Sequence, residues 1–237
     1  MRPTTIIGIE TSGVSGSVAL LRDDVLIASR TLDETGRRHA TTLVVELDRL
    51  LTNAEMGPRD VDVVAVSIGP GSFTGLRVGV VCAKTWAFAT GCRLTAVETF
   101  SAIAEEVPTG PAAAWVIDDA LRGELYVQRF EPAERGEWEA RGPVRLLPFD
   151  DWISEAQPGE MMAGPGVEKW AEELESRGLS LAPPEHLRPH AAGVARRGKR
   201  LADREEFADP FTLVPLYIRR SAAEEKLDSI AAQGGST

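Results

Sequence analysis

Cysteine is nearly absent from this chain: Cys82 and Cys92 are its only two among 237 residues, and they form no C-x-x-C pair. That excludes a disulfide framework and a thiolate zinc site, and two reduced thiols suit a reducing compartment. Histidine is almost as scarce, with three residues. His186 and His190 stand at i, i+4, but Pro189 breaks the helix that would aim both at one metal, and no third ligand is nearby. His39 starts a helix and reads as interfacial or solvated rather than catalytic. Positive charge is also in deficit, 26 Lys and Arg against 36 Asp and Glu, a formal charge of −10 that opposes non-specific attraction to nucleic acid or anionic lipid. The densest basic run, Arg196, Arg197, Lys199 and Arg200, meets Asp203, Glu205 and Glu206 at once and reads as a solvated helix face rather than an RNA patch. No run of about eighteen apolar residues occurs, and Met1–Glu10 is too short an apolar stretch for a signal peptide. The expectation is a cytoplasmic protein with no membrane partner.

What is present is an ordinary globular composition, 43% hydrophobic and 26% charged, in a chain long enough for one large domain or two small ones sharing a cleft. The first half predicts strands over Thr5–Glu10, Ser17–Arg22 and Val25–Thr31, a helix over Arg38–Asn53, a strand over Val61–Ile68, a helix over Leu76–Thr90 and a strand over Leu94–Ala96. Asp23-Asp24 is a two-residue turn, so the opening strands are antiparallel, whereas the later strands alternate with helices and are expected to be parallel. The second half repeats this order more weakly. Strands are expected over Ala113–Asp118, Glu124–Glu131, within Trp138–Leu147, and at Met161–Ala163 and Leu213–Ile218, with helices near Phe149–Ala156, Val167–Arg177 and Ala191–Leu201. Pro108, Gly110 and Pro111 mark a seam, which gives an N-terminal lobe over 1–107, a C-terminal lobe over 108–220 and a frayed tail over 221–237. Paired βββαβα halves resemble the ribonuclease-H-like lobes of the actin, hexokinase and Hsp70 superfamily, an α/β fold with a cleft between its halves.

In that superfamily an acidic residue ends the first strand and a glycine-bearing hairpin holds phosphates. Glu10-Thr11-Ser12-Gly13 occupies that place here, and with Asp119 of the second half it gives Glu10, Thr11, Ser12, Gly13 and Asp119 as candidate vestigial phosphate contacts. A plain hairpin explains the same glycine. The loop Gly69-Pro70-Gly71-Ser72-Phe73-Thr74-Gly75-Leu76-Arg77 either cradles an anion at a helix N-terminus or shapes a tight strand–helix turn. It lacks the Lys-Ser/Thr of a P-loop, and Ser72 lacks the flanks of a nucleophile elbow. Arg77 is its one functional side-chain candidate. The first-half helices carry the strongest interface signal. Leu43, Val44, Leu47, Leu50 and Leu51 make one stripe; the second helix is apolar nearly all round, with Val78, Val81, Cys82, Trp86 and Phe88, and Gly79, Ala83 and Ala87 spaced by four for close helix approach. Leu43, Leu47, Leu50, Val78, Gly79, Cys82, Ala83 and Trp86 are therefore expected to meet a partner or a second copy, with packing inside the chain as the alternative.

Ile7-Gly8-Ile9-Glu10-Thr11-Ser12, the glycine loop continued through Val78-Gly79 with Ala83-Lys84, Asp119-Ala120…Gly123-Glu124-Leu125-Tyr126 and Pro215-Leu216-Tyr217-Ile218-Arg219 together resemble the bacterial TsaB (YeaZ) family. The resemblance implies a non-catalytic subunit of the machinery that places threonylcarbamoyl on the tRNA adenosine next to the anticodon. It implies a TsaD-like catalytic paralogue and a TsaE-like ATPase as partners, a homodimer as a further assembly, and tRNA met through the complex. It also implies no cofactor held by the isolated chain, with ATP or ADP left to the partner interface. TsaD carries a His-x-x-x-His metal pair where this chain has Thr99 and Ile103, which cannot ligate a metal as imidazoles do. Glu10, Leu121 and Pro165 depart from the Asp, Arg and acidic residue usual in the family. A sugar- or acetate-kinase-like ATPase built on Glu10 and Asp119 is the competing class.

Overall fold

The computed structural model describes residues 3–32 and 39–218. The predicted opening strands form as Thr5–Glu10 (β1), Ser17–Arg22 (β2) and Val25–Thr31 (β3), followed by the helix His39–Asn53 (α1) and the β-branched strand Val63–Gly69 (β4). Phe73–Thr90 (α2) starts ahead of the predicted Leu76, because the Ser72 hydroxyl caps it by accepting the Gly75 N–H at 3.3 Å. Gly91, at a φ of +76°, closes the other end by donating its N–H to the Ala87 carbonyl. Arg93–Glu98 (β5) completes a sheet of order β3-β2-β1-β4-β5, antiparallel among β1, β2 and β3 and parallel from β1 through β4 to β5. Thr99–Ala104 (α3) was not legible, since so short a helix leaves no periodicity to read.

The second half builds Ala114–Asp119 (β6), Glu124–Pro132 (β7), Trp138–Ala140 (β8), Arg145–Pro148 (β9), Phe149–Ile153 (α4), Met161–Ala163 (β10), Val167–Ser176 (α5), Ser180–Leu181 (β11) and Ala191–Asp203 (α6). Its sheet runs β11-β10-β6-β7-β8, with β9 also paired to β7. The strand expected within Trp138–Leu147 is thus two pieces, and the Gln128 amide fills the break by donating to the Gly142 carbonyl at 3.0 Å. With β8 and β9 taken as one interrupted strand, both sheets share one order, and the fold is a pair of ribonuclease-H-like α/β halves of actin-like architecture. Leu213–Ile218 forms no strand; it has no regular secondary structure, and its Leu216 N–H donates to the Ile68 carbonyl at 2.7 Å. Arg38, the closing Arg219 and the tail expected to fray lie outside the described residues.

Alternation along β1 decides how the layers stack. Ile7 and Ile9 join Leu43, Leu47, Leu50, Val80 and Ala83 in one core under α1 and α2, while Ile6 joins Val194 and Ala195 of α6 in a core on the opposite face. The helix α6 therefore covers the first sheet, although it follows the whole second half in sequence. Its Gly198 lies so close that a Cβ there would meet the Ala65 Cβ at 2.3 Å. The basic run on α6 is not the solvated face expected. Arg196 pairs with Glu106, Arg200 with Glu105 at 2.9 Å and with Glu137, and Lys199 with Asp203 at 2.7 Å. Its acidic partners beyond Asp203 come from the end of α3 and from the turn before β8, far away in sequence.

Candidate functional site

The glycine loop is shaped by what lies against it. A Cβ on Gly71 would come within 2.6 Å of Ser12, one on Gly75 within 2.0 Å of the Thr11 carbonyl, and one on Gly79 within 2.3 Å of the Thr11 hydroxyl. The Ser72 N–H donates to the Ser12 carbonyl at 2.7 Å. Three glycines spaced by four, one before α2 and two within it, thus let the start of α2 press directly on the loop after β1. Gly79 and Ala83 serve this contact with the chain's own sheet, not the approach of a foreign helix.

That loop forms one wall of a cleft of about 640 Å³ between the lobes, lined by Ser12, Gly13, Ser72 and the hairpin to Ser17 on one side and by Asp118, Asp119, Tyr126, Arg188 and His190 on the other. Of the candidate phosphate contacts, Ser12, Gly13 and Asp119 line the cleft. Glu10 and Thr11 lie beneath it, fully buried. The Glu10 carboxylate turns inward and accepts both the backbone N–H and the hydroxyl of Ser12. Burial pushes its carboxyl up from the ordinary range, with the Ser12 bonds opposing the shift. Asp119 is also engaged: Lys169 donates to it at 2.9 Å and the Leu121 N–H at 3.0 Å. Asp118, which the sequence reading passed over, is pushed up to about 6 by burial while it accepts the Asp119 N–H at 2.8 Å. The cleft is a polar place in which Asp118 and Asp119 already have donors, while beneath it Glu10 Oε2 and the Thr11 hydroxyl are buried with none among the described residues. Of the histidines, His190 lines the cleft and His186 closes a short 3-10 turn, and among the described residues no cluster of His, Cys, Asp and Glu could hold a metal. Thr99 and Ile103 are buried on α3.

A second concavity of about 670 Å³ runs between α1 and α2, lined by Leu43, Val44, Pro58, Arg77, Val78, Val81, Cys82, Thr85, Trp86, Ala89 and Thr90. Five residues expected at an interface, Leu43, Leu47, Leu50, Gly79 and Ala83, are instead buried in the chain's own core. They are corrected here: the stripe that sequence periodicity finds is the one facing the sheet. Of these only Leu43 also touches the groove. Val78, Cys82 and Trp86 remain at the groove, half-buried. The uncovered apolar residues are Val44 at 62% and Val81 at 62% exposure, which a search for the buried face ranks low. Burial pushes the Cys82 thiol up to about 11, so it stays a protonated apolar lining group.

One end of the groove is built by distant residues. The Arg77 guanidinium stacks on Phe73 at 4.0 Å and donates from Nε to the Tyr217 hydroxyl at 3.1 Å; the Phe73 and Tyr217 rings lie 4.5 Å apart. Lys84 fastens the same C-terminal segment by donating to the Leu213 carbonyl at 2.9 Å. The closing Pro-x-Tyr motif and the glycine loop are therefore one structure.

Residues 32–144 match the family model of TsaD, tRNA N6-adenosine threonylcarbamoyltransferase. The chain is 29% identical over 229 residues to the tRNA threonylcarbamoyladenosine biosynthesis protein TsaB of Bacillus subtilis, spanning 94% of this chain and 97% of that protein. It is 28% identical over 197 residues to a tRNA N6-adenosine threonylcarbamoyltransferase of Thermus thermophilus, covering 74% of this chain and 59% of that one. Among solved structures, YeaZ from Pseudomonas aeruginosa superposes with a TM-score of 0.76 at 26% identity, over 91% of this chain and 100% of that one.

Proposed function

We propose that this chain, which belongs to the TsaB (YeaZ) family, acts in tRNA threonylcarbamoyladenosine biosynthesis as the subunit that docks a TsaD-like catalytic paralogue and is not itself the transferase. The carrying observation is the apolar groove between α1 and α2, with Val44 and Val81 each 62% exposed beside Val78 and Trp86. An apolar concavity of this extent on a chain of net charge −10 is stabilised by being covered. Thr99 and Ile103, standing where the resemblance implies the paralogue's two histidines, support the division of labour: neither a hydroxyl nor a butyl group replaces imidazole on a metal. In the same reading a TsaE-like ATPase joins the pair, tRNA is reached through the complex, and any ATP or ADP lies at the partner interface. The test is co-purification of the chain with the TsaD-like protein of the same organism, and nucleoside analysis of tRNA after depletion. Loss of threonylcarbamoyladenosine together with stable co-purification is expected; normal tRNA modification after depletion would sink the assignment.

A kinase-like ATPase is favoured by one observation, the cleft itself. Calorimetry with ATP and magnesium on the isolated chain decides: micromolar binding with turnover would replace the docking reading. The inward turn of Glu10 and the engagement of Asp119 by Lys169 favour no binding.

A further inference from the structure

We propose that an arginine row on α6 latches the two halves of the molecule at one angle and so sets the width of the cleft between them, a device that stands apart from the docking reading above. The row is Arg196, Arg200 and Arg204, spaced by four and hence on one face of the helix and its cap. By packing, α6 belongs to the first half. Val194 and Ala195 share a core with Ile6 and Ala65, and a Cβ on Gly8 of β1 would come within 2.2 Å of the Ala191 carbonyl. The carboxylates that the row meets belong to the second half. Glu105 and Glu106 follow α3, whose Phe100, Ile103 and Ala104 sit in the core of the second sheet, and Glu137 and Glu139 flank Trp138 of that same core. Arg196 pairs with Glu106, Arg200 with Glu105 at 2.9 Å and with Glu137, and Arg204 with Glu137 at 3.2 Å and Glu139 at 3.5 Å. Every arginine of the row thus crosses from one half to the other.

Burial grades these pairs. The Glu105 side chain is 3% exposed and that of Glu137 17%, whereas that of Glu139 is 43% exposed. The inner pairs are screened little by salt and cost much to break, while the outermost is screened freely. Where α6 touches α3, the contact is made by small residues: a Cβ on Gly193 would lie 2.2 Å from the Ala102 carbonyl. Helices that meet through glycine and alanine come close without interlocking large side chains, so the ion pairs carry the resistance to one half turning on the other. His190 at the N-cap of α6 lines the cleft, and Arg204 caps the opposite end, about 20 Å away at 1.5 Å per residue. A turn of the halves about the contact between α3 and α6 therefore separates charges behind the cleft and moves its walls in front.

The test places nitroxide labels at Val14→Cys, on the first-half wall of the cleft, and at Glu172→Cys, exposed on α5 in the second half, with Cys82→Ala and Cys92→Ala removing the native thiols. Their separation is measured by double electron–electron resonance in low and high salt. With the row intact, one narrow distance distribution is expected in low salt, broadening in high salt as the outer pairs are screened. Glu137→Gln weakens the acceptor that Arg200 and Arg204 share. It should raise the ratio of released to latched molecules by about tenfold, so that the distribution is broad already in low salt. Arg204→Met should act in the same direction but less, because its partners are more exposed. Lys199→Met is the control: it breaks pairs of the same helix with Asp203 and with Asp24, both on the first-half side, and should leave the distribution narrow. If Glu137→Gln and Arg204→Met both keep the narrow distribution, the latch is overturned. If Lys199→Met broadens it as much as Glu137→Gln does, the row only stabilises the fold and the latch is overturned as well. Glu137→Gln preserves side-chain shape and leaves Arg200 paired with Glu105, so the outcome does not hang on a variant that unfolds.

Discussion

The cleft between the lobes and the groove between α1 and α2 are nearly equal in volume, about 640 and 670 Å³, and opposite in chemistry. Of the cleft's carboxylates, Asp119 accepts from Lys169 and Asp118 from a backbone amide; beneath it one oxygen of Glu10 accepts from Ser12, while the other and the Thr11 hydroxyl are buried without a hydrogen-bond partner among the described residues. The groove carries hydrocarbon that the described residues leave exposed. Polar groups that already have partners within the fold offer little enthalpy to a ligand, while uncovered hydrocarbon gains on contact with any complementary apolar face. The more interactive of the two places is therefore the one without chemistry. One helix serves both, since the N-terminus of α2 walls the cleft and its flank floors the groove.

Gly75→Ala should erase the comparison altogether, because a Cβ there meets the Thr11 carbonyl at 2.0 Å and forces α2 away from the β1 loop. A loss of about 2–4 kcal/mol is expected in denaturant titration, with cleft and groove failing together. Val81→Asp should separate them: partner affinity falls by about a hundredfold or more, while the melting temperature shifts little because Val81 is already 62% exposed. Asp118→Asn probes the cleft alone. Burial raises the folded carboxyl from its ordinary 3.8 to about 6, so its contribution to stability is fully present below pH 3.8 and is lost as pH rises through 6. The neutral variant, which keeps an acceptor for the Asp119 N–H, should gain on the order of 2 kcal/mol over wild type at pH 8 and nothing below pH 4, with partner affinity unchanged. Ser72→Ala, which removes the cap of α2, should cost about 1 kcal/mol in thermal unfolding. If its effect on partner affinity exceeds its effect on stability, cleft and groove are coupled more tightly than their chemistry implies.

The strands were largely legible because their periodicity is local. β1 to β4 announce themselves by β-branched runs and one two-residue turn, and the shared order of the two sheets follows from the order of elements. What escaped was set by contacts distant in sequence. The glycine spacing in α2 was visible, but the object it approaches, Thr11, lies in another element, so a small-residue stripe facing inward looked the same as one facing a partner. The apolar stripe of α1 was visible too, and its burial is what periodicity reports; the exposed Val44 beside it carries no periodic signal. Ion pairing turned the basic run of α6 from a solvated face into a fastening, because Glu105 and Glu137 approach only in three dimensions. Arg77 stood out in the loop, yet the Tyr217 that orients it comes from the other end of the chain.

The position of α6 has a consequence for how the molecule is made. The Ala191 N–H is bonded to the Ser17 hydroxyl across 174 positions of chain, so the second face of the first sheet stays bare while the whole second half is synthesised. Loop closure over that distance is slow compared with the local pairing of β1, β2 and β3. During translation the apolar residues Ile6, Val63 and Ala65 wait for a helix that arrives late. Apolar surface left bare in this way makes a nascent first half prone to aggregation, and Tyr217, which orients Arg77 at the end of the groove, is added later still. The Arg77 end of the groove therefore takes its form only after both halves have been made.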